Sequence, residues 1–167
     1  MESIYIVGFM GAGKTTVGKI LGEKLGLEVI DTDEVIETKQ QKTVSEIFKE
    51  NGEEYFRQLE HFVLKDIIKE DKIITTGGGI VTREENRKLL QKKKNVFYLK
   101  ATANTILERL KDDTTRPLLQ TKDKLKTIEQ LLSKRDALYE EVSTYTVHTD
   151  LLSLEEVANE VIANLKE

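Results

Sequence analysis

The sequence predicts an α/β fold, a three-layer α/β/α arrangement on a five-stranded parallel sheet, and three observations carry that prediction. Five short runs of apolar and β-branched residues each end in polar residues or glycine. Stretches with helical spacing separate them, as parallel strands joined by crossover helices require. The first run also passes through a glycine-rich turn directly into a helix.

Taken in order, "IYIV" at 4–7 is the first strand, stopped by Gly8, and apolar Val17, Leu21 and Leu25 give the stretch from Lys14 to Leu25 its helical period. Gly18 and Gly22 lie four apart in that helix, where close packing on the sheet would explain them. Further strands are expected at 28–30, 72–75, 96–99 and 145–147. Thr43/Glu46, Thr82/Glu85 and Ser153/Glu156 have the capping-box spacing and predict three helix starts. Residues 34–70 hold two or three helices between the second and third strands, read as an inserted helical subdomain. Polar "DDTTRPLLQTKD" at 112–123 contains the only proline and reads as a mobile lid. The length, 167 residues, fits one domain over 1–167, with the insertion at about 32–60 and the lid at about 112–123.

Composition narrows the function. A net charge of −4 with no Lys/Arg stripe disfavours a dedicated nucleic-acid binder, while leaving room for small anions held by local positive charge. The lack of cysteine excludes disulfides, thiolate metal sites and a cysteine nucleophile. No apolar run approaches a membrane span and "IYIV" is no signal segment, so the expectation is a cytoplasmic protein with no membrane partner.

"GFMGAGKT" at 8–15 matches G-x-x-x-x-G-K-[ST] between a strand and a helix. Such a loop turns successive backbone N–H groups and a helix N-terminus toward phosphate, while Lys14 reaches the outer phosphates and the Thr15 hydroxyl meets Mg²⁺. This leaves a small-molecule kinase, a GTPase switch and a non-catalytic phosphate-binding domain in competition. The switch is disfavoured because "TKDK" at 121–124 places its aspartate one position early for the guanine motif.

"IDTDEVIE" at 30–37 puts Asp31 and Asp33 at the carboxyl end of the second strand, where α/β proteins bind ligands. Asp31 suits a metal held through water and Asp33 an acceptor hydroxyl; an N-cap aspartate with an acidic neighbour is the alternative. With 20 lysines and only 6 arginines, arginine marks places where a planar fork is needed. Arg57 has Glu60 three residues on along a helix, which suits either an anionic substrate or a surface ion pair. Arg116 lies in the lid, where it could close over transferring phosphate or remain a solvated charge. Arg109 and Arg135 could equally be solvated helix charges, and Arg83, Arg87, His61 and His148 receive no role.

"TTGGG" at 75–79 lacks the lysine and hydroxyl of a phosphate loop. It ends the third strand beside the first loop, where Gly77, Gly78 and Gly79 would let a polyhydroxylated ring approach backbone N–H groups; an ordinary tight turn is the alternative.

Together "GFMGAGKTT", "DTD", "FRQLE", "TTGGGIV", "RPLL" and "RDALYEEV", in this order over almost the whole chain, resemble the shikimate kinase family. The resemblance implies ATP-dependent phosphorylation of the 3-hydroxyl of shikimate, on the route to aromatic amino acids. It also implies a P-loop kinase fold of the nucleoside-monophosphate-kinase type, with Mg²⁺ as cofactor and a monomer. It implies that Gly11, Ala12, Gly13, Lys14, Thr15 and Thr16 wrap the ATP phosphates, with Thr15 on the metal and Asp31 helping to hold it through water. Arg109 would stack on adenine, the loop around Leu152 would touch the base through its backbone, and Arg116 would reach the phosphates. Asp33, Arg57, Arg135 and Gly77 to Gly79 would bind shikimate, with Asp33, Lys14 and Arg116 catalytic. The family's proline against adenine in some members is replaced here by Leu154.

Overall fold

In the computed structural model, which describes residues 2–68, 71–111 and 117–167, five parallel strands form one sheet in the order β2-β3-β1-β4-β5. The strands are β1 (Ile4–Val7), β2 (Val29–Asp31), β3 (Ile73–Thr75), β4 (Val96–Lys100) and β5 (Tyr145–His148). Eight α-helices occur among the described residues: α1 (Lys14–Leu25), α2 (Thr32–Gln40), α3 (Val44–Asn51), α4 (Glu53–Ile67), α5 (Glu84–Gln91), α6 (Ala103–Leu110), α7 (Lys124–Val142) and α8 (Leu154–Ala163). None of them is long and apolar enough to cross a membrane.

Period-two alternation sends strand residues to two cores. Tyr5, Val7, Ile74, Val96 and Tyr98 join the core under α2 to α7, whereas Ile4, Ile6, Ile73, Phe97 and Leu99 join the one under α1 and α8. Both faces are covered, as a parallel sheet demands. Close approach also accounts for Gly18 and Gly22: a methyl at Gly18 would collide with Thr75 Cγ2, and one at Gly22 would stand 2.6 Å from Val29 Cγ2. The contact offsets the roughly 1 kcal/mol that each glycine costs a helix.

Two of the expected capping boxes form, Thr43 with Glu46 on α3 and Ser153 with Glu156 on α8. The third does not. Thr82 lies in a one-turn 3₁₀ segment (Ile80–Thr82), its hydroxyl donates back to Gly79 O, and α5 starts after Arg83 with no side-chain cap. The stretch between β2 and β3 resolves into three helices, Gly52 ending α3 and opening α4. Within the expected lid, residues 117–119 form a second 3₁₀ turn whose Leu119 is buried in the core, and Asp123 caps α7. Residues 112–116, which include Arg116, lie outside the described residues.

Candidate active site

Three adjacent strands deliver the site at their carboxyl ends: the first glycine loop follows β1, the acidic pair follows β2 and the glycine triplet follows β3. In the first loop Gly11 and Gly13 take φ of 81° and 94°, which side chains resist, and Gly13 opens α1 without a side-chain cap, leaving the helix's first N–H groups for an anion. Lys14 Nζ donates to the carbonyls of Gly8 and Phe9. Gly11, Gly13, Lys14, Thr15, Thr16 and Arg109 line a cavity of about 280 Å³, and Arg109 Nη1 donates to Gly11 O at 3.1 Å. Ala12 instead faces the core, its N–H bonded to Phe9 O.

Asp31 is fully engaged. Its Oδ1 accepts the N–H groups of Asp33 and Glu34, capping α2. Its Oδ2 accepts the hydroxyls of Thr75 at 2.9 Å and Thr15 at 3.3 Å. From there the acidic segment is laced onto the end of β3: Gly77 N donates to Thr32 Oγ1 at 3.0 Å, and Asp33 Oδ1 packs so close to Gly77 that a methyl there would stand 2.6 Å from it. Thr76 completes the join by bonding Ile6 O of β1 through its hydroxyl.

A second cavity, of about 460 Å³, adjoins the first; Met10, Asp33, Gly77 and Gly78 line both. Arg57 and Glu60 project into it from one face of α4. Arg57 Nη1 donates to Glu60 Oε1 at 2.6 Å, Glu53 lies 3.3 Å away on the solvent side, and the rings of Phe56 and Phe48 flank the guanidinium. Burial drives the Glu60 carboxyl up to about 7 against the lowering pull of Arg57, and the charge of Asp33 adds to the rise. Arg135, 4% exposed on α7, approaches Gly78 and lies over Phe9.

Glu60 Oε2 and Arg135 Nη1 are buried with no hydrogen-bond partner among the described residues. Such atoms are costly unless a ligand satisfies them. A molecule carrying both a carboxylate and hydroxyls would do so.

The glycine triplet is needed for space. The φ of Gly79 is −96° and none of the three has a positive φ. The volume their side chains would fill is taken by the protein itself: Asp33 and Glu60 at Gly77, and the Arg57 guanidinium at Gly79. Gly77 and Gly78 also face the P-loop cavity, so this loop spans both halves of the site.

The structure thus brings together Lys14, Thr15, Asp31, Asp33, Arg57, Arg109, Arg135 and the triplet. Leu152 stands apart, its side chain against the core beneath α8, while Leu154 packs on Gly13 of the P-loop. Sequence reasoning gave no role to Thr32 or Thr75, although both sit inside quoted motifs; their hydroxyls matter only through partners more than forty residues away.

A parallel sheet with a P-loop at the end of β1, and a charged cavity sharing its wall, defines a phosphoryl-transfer enzyme of the P-loop kinase class. The sequence model of the shikimate kinase family matches residues 10–166. A shikimate kinase of Bacillus mycoides is 45% identical over 167 residues, covering 100% of both chains. The shikimate kinase from Acinetobacter baumannii in complex with shikimate superposes with a TM-score of 0.94 at 38% identity, covering 99% of this chain and 96% of that one. The one from Aquifex aeolicus gives 0.84 at 33%, covering 96% and 94%. The chain belongs to the shikimate kinase family.

Proposed function

We infer that the chain transfers the γ-phosphoryl group of ATP to the 3-hydroxyl of shikimate. The observation that carries this is Asp33, which lines both cavities, with buried Arg57 lining the larger one and buried Arg135 beside Gly78 of its wall. Arg57 and Arg135 bind the carboxylate of the acceptor as planar donors. That fixes the ring so that its hydroxyl lies toward Asp33, whose carboxylate takes the proton as the oxygen attacks phosphorus. The P-loop N–H groups and Lys14, released from Gly8 and Phe9, hold the phosphates, and Arg116 reaches them from the lid. Arg109 and the loop through Leu152 serve the adenine.

Thr15 and Asp31 fit a divalent cation: the Thr15 hydroxyl is a hard oxygen ligand, and Asp31 Oδ2, 3.3 Å from it and already bonded to Thr75, would hold the cation through water. A cation held by so few protein atoms would need further oxygen ligands from phosphate and water, as Mg²⁺ commonly takes. When bound, Mg²⁺ neutralises phosphate charge. The helical insertion at about 32–60 serves as the acceptor-binding unit and residues 112–123 as the lid, on a single domain.

The test is ADP release with ATP and Mg²⁺ over shikimate, gluconate and quinate. Turnover on shikimate alone is expected; turnover on gluconate without shikimate would overturn the assignment. Asp33→Asn is expected to keep ATP affinity while lowering kcat at least ~100-fold, and an unchanged kcat would remove Asp33 from proton transfer.

A further inference from the structure

The carbonyls of the loop after β3 are pinned one by one. Gly77 O accepts from Ile80 N, Gly78 O from the Tyr139 hydroxyl at 2.5 Å, Gly79 O from Thr82, Ile80 O from Asn86 Nδ2 at 3.0 Å and Val81 O from Arg87 at 2.9 Å. Two of these bonds lead back to the helices that carry the arginines. Tyr139 lies one turn beyond Arg135 on α7. His61 lies one turn beyond Arg57 on α4, and its Nδ1 meets Asn86 Oδ1 at 2.7 Å. Because Asn86 Nδ2 donates to Ile80 O, its Oδ1 must accept, and His61 Nδ1 is the donor. Each arginine therefore stands four residues before the side chain that fastens its helix to the glycine loop.

We propose that Tyr139 and His61 are positioning residues for acceptor recognition: through Gly78 O, and through Asn86 to Ile80 O, they set the distance between the two guanidinium groups and the loop on which the acceptor lies. The Tyr139 phenol suits the task, since burial raises it to about 12 and it remains a donor across the working range. Its ring also packs, tilted, against Tyr98 with centroids 4.9 Å apart, so Tyr139→Phe removes the hydroxyl and keeps the packing. His61 is only partly buried, and His61→Asn places an amide N–H near Nδ1 whereas His61→Ala does not.

This rests on the acceptor reading above and asks how the site holds its shape. Kinetics with ATP and shikimate should show Tyr139→Phe and His61→Ala raising the acceptor KM about 3- to 10-fold, the scale of one lost hydrogen bond. The ATP KM should stay within about twofold, and His61→Asn should restore the acceptor KM. Amide hydrogen exchange of residues 77–82 in the free protein should quicken in Tyr139→Phe and His61→Ala. Lower melting temperatures with an unchanged acceptor KM would make the ties merely structural and overturn the proposal. Should the unaltered enzyme fail to phosphorylate shikimate, the functional reading falls separately; the exchange comparison then decides, and unchanged exchange in 77–82 overturns the ties.

Discussion

Gly79→Ala separates the two reasons a chain uses glycine. At φ −96° alanine is comfortable, so no backbone strain arises. The new methyl would stand 2.5 Å from Nη2 of Arg57 and nearer still to Cζ and Nη1, where ordinary contact begins at 3.4 Å, which forces the guanidinium back by more than about 0.9 Å. The Arg57–Glu60 hydrogen bond, 2.6 Å long, is lost beyond roughly 3.2 Å. The required retreat exceeds that slack. Breaking a buried ion pair costs about 3–5 kcal/mol, and the stiffer unfolded chain returns about 0.4–1 kcal/mol; a net loss of about 3 kcal/mol is expected. Urea unfolding followed by circular dichroism reads it, the chain having no tryptophan, and the acceptor KM should rise with it. Gly26→Ala is the comparison: there φ is 66° with nothing within 4 Å of the new methyl, and the cost should be about 1 kcal/mol of backbone strain alone. If Gly79→Ala costs no more than Gly26→Ala and leaves acceptor KM alone, the guanidinium slides aside freely and the steric account is wrong.

The Glu60 carboxyl gives a pH signature. Its folded value of about 7 lies above the ordinary 4.5, so between these limits the folded state holds the extra proton and stability falls as pH rises, by about 3 kcal/mol at roughly 1.4 kcal/mol per pH unit. Glu60→Gln should flatten that fall, and parallel stability profiles for the two proteins from pH 4.5 to 7 would refute it. At the far end of the chain, Ser153→Ala removes the acceptor for Glu156 N and should cost about 1 kcal/mol in a thermal melt; no loss would show that Glu156 caps α8 unaided.

How much was legible depended on range in the chain. β1 and α1 were readable to the residue, because a short apolar run stopped by a glycine turn and the helical period that follows it are local signals. β2 runs one residue further than its apolar pattern suggested, since Asp31 pairs in register with Thr75 while capping α2. The Thr82/Glu85 box failed because the same hydroxyl found Gly79 O, a competitor that spacing cannot reveal. The charged residues around the site were visible as types in motifs. What fixes them was not, since the ties from Thr75 to Asp31, Gly77 to Thr32 and Tyr139 to Gly78 cross 44, 45 and 61 residues.

Asp31 closes two circuits with one carboxylate, the hydroxyls of Thr15 and Thr75 on one oxygen and the start of α2 on the other. Glutamate would offer a cation the same charge, but one methylene longer it would overshoot the first-turn N–H groups, and the helix that aims Asp33 would lose its anchor. A variant at this position cannot be read as a metal variant alone. On the proposed roles of Asp31 and Asp33, weaker phosphate-side chemistry and a misdirected base would arrive together, a constraint on side-chain length that neither role would impose alone.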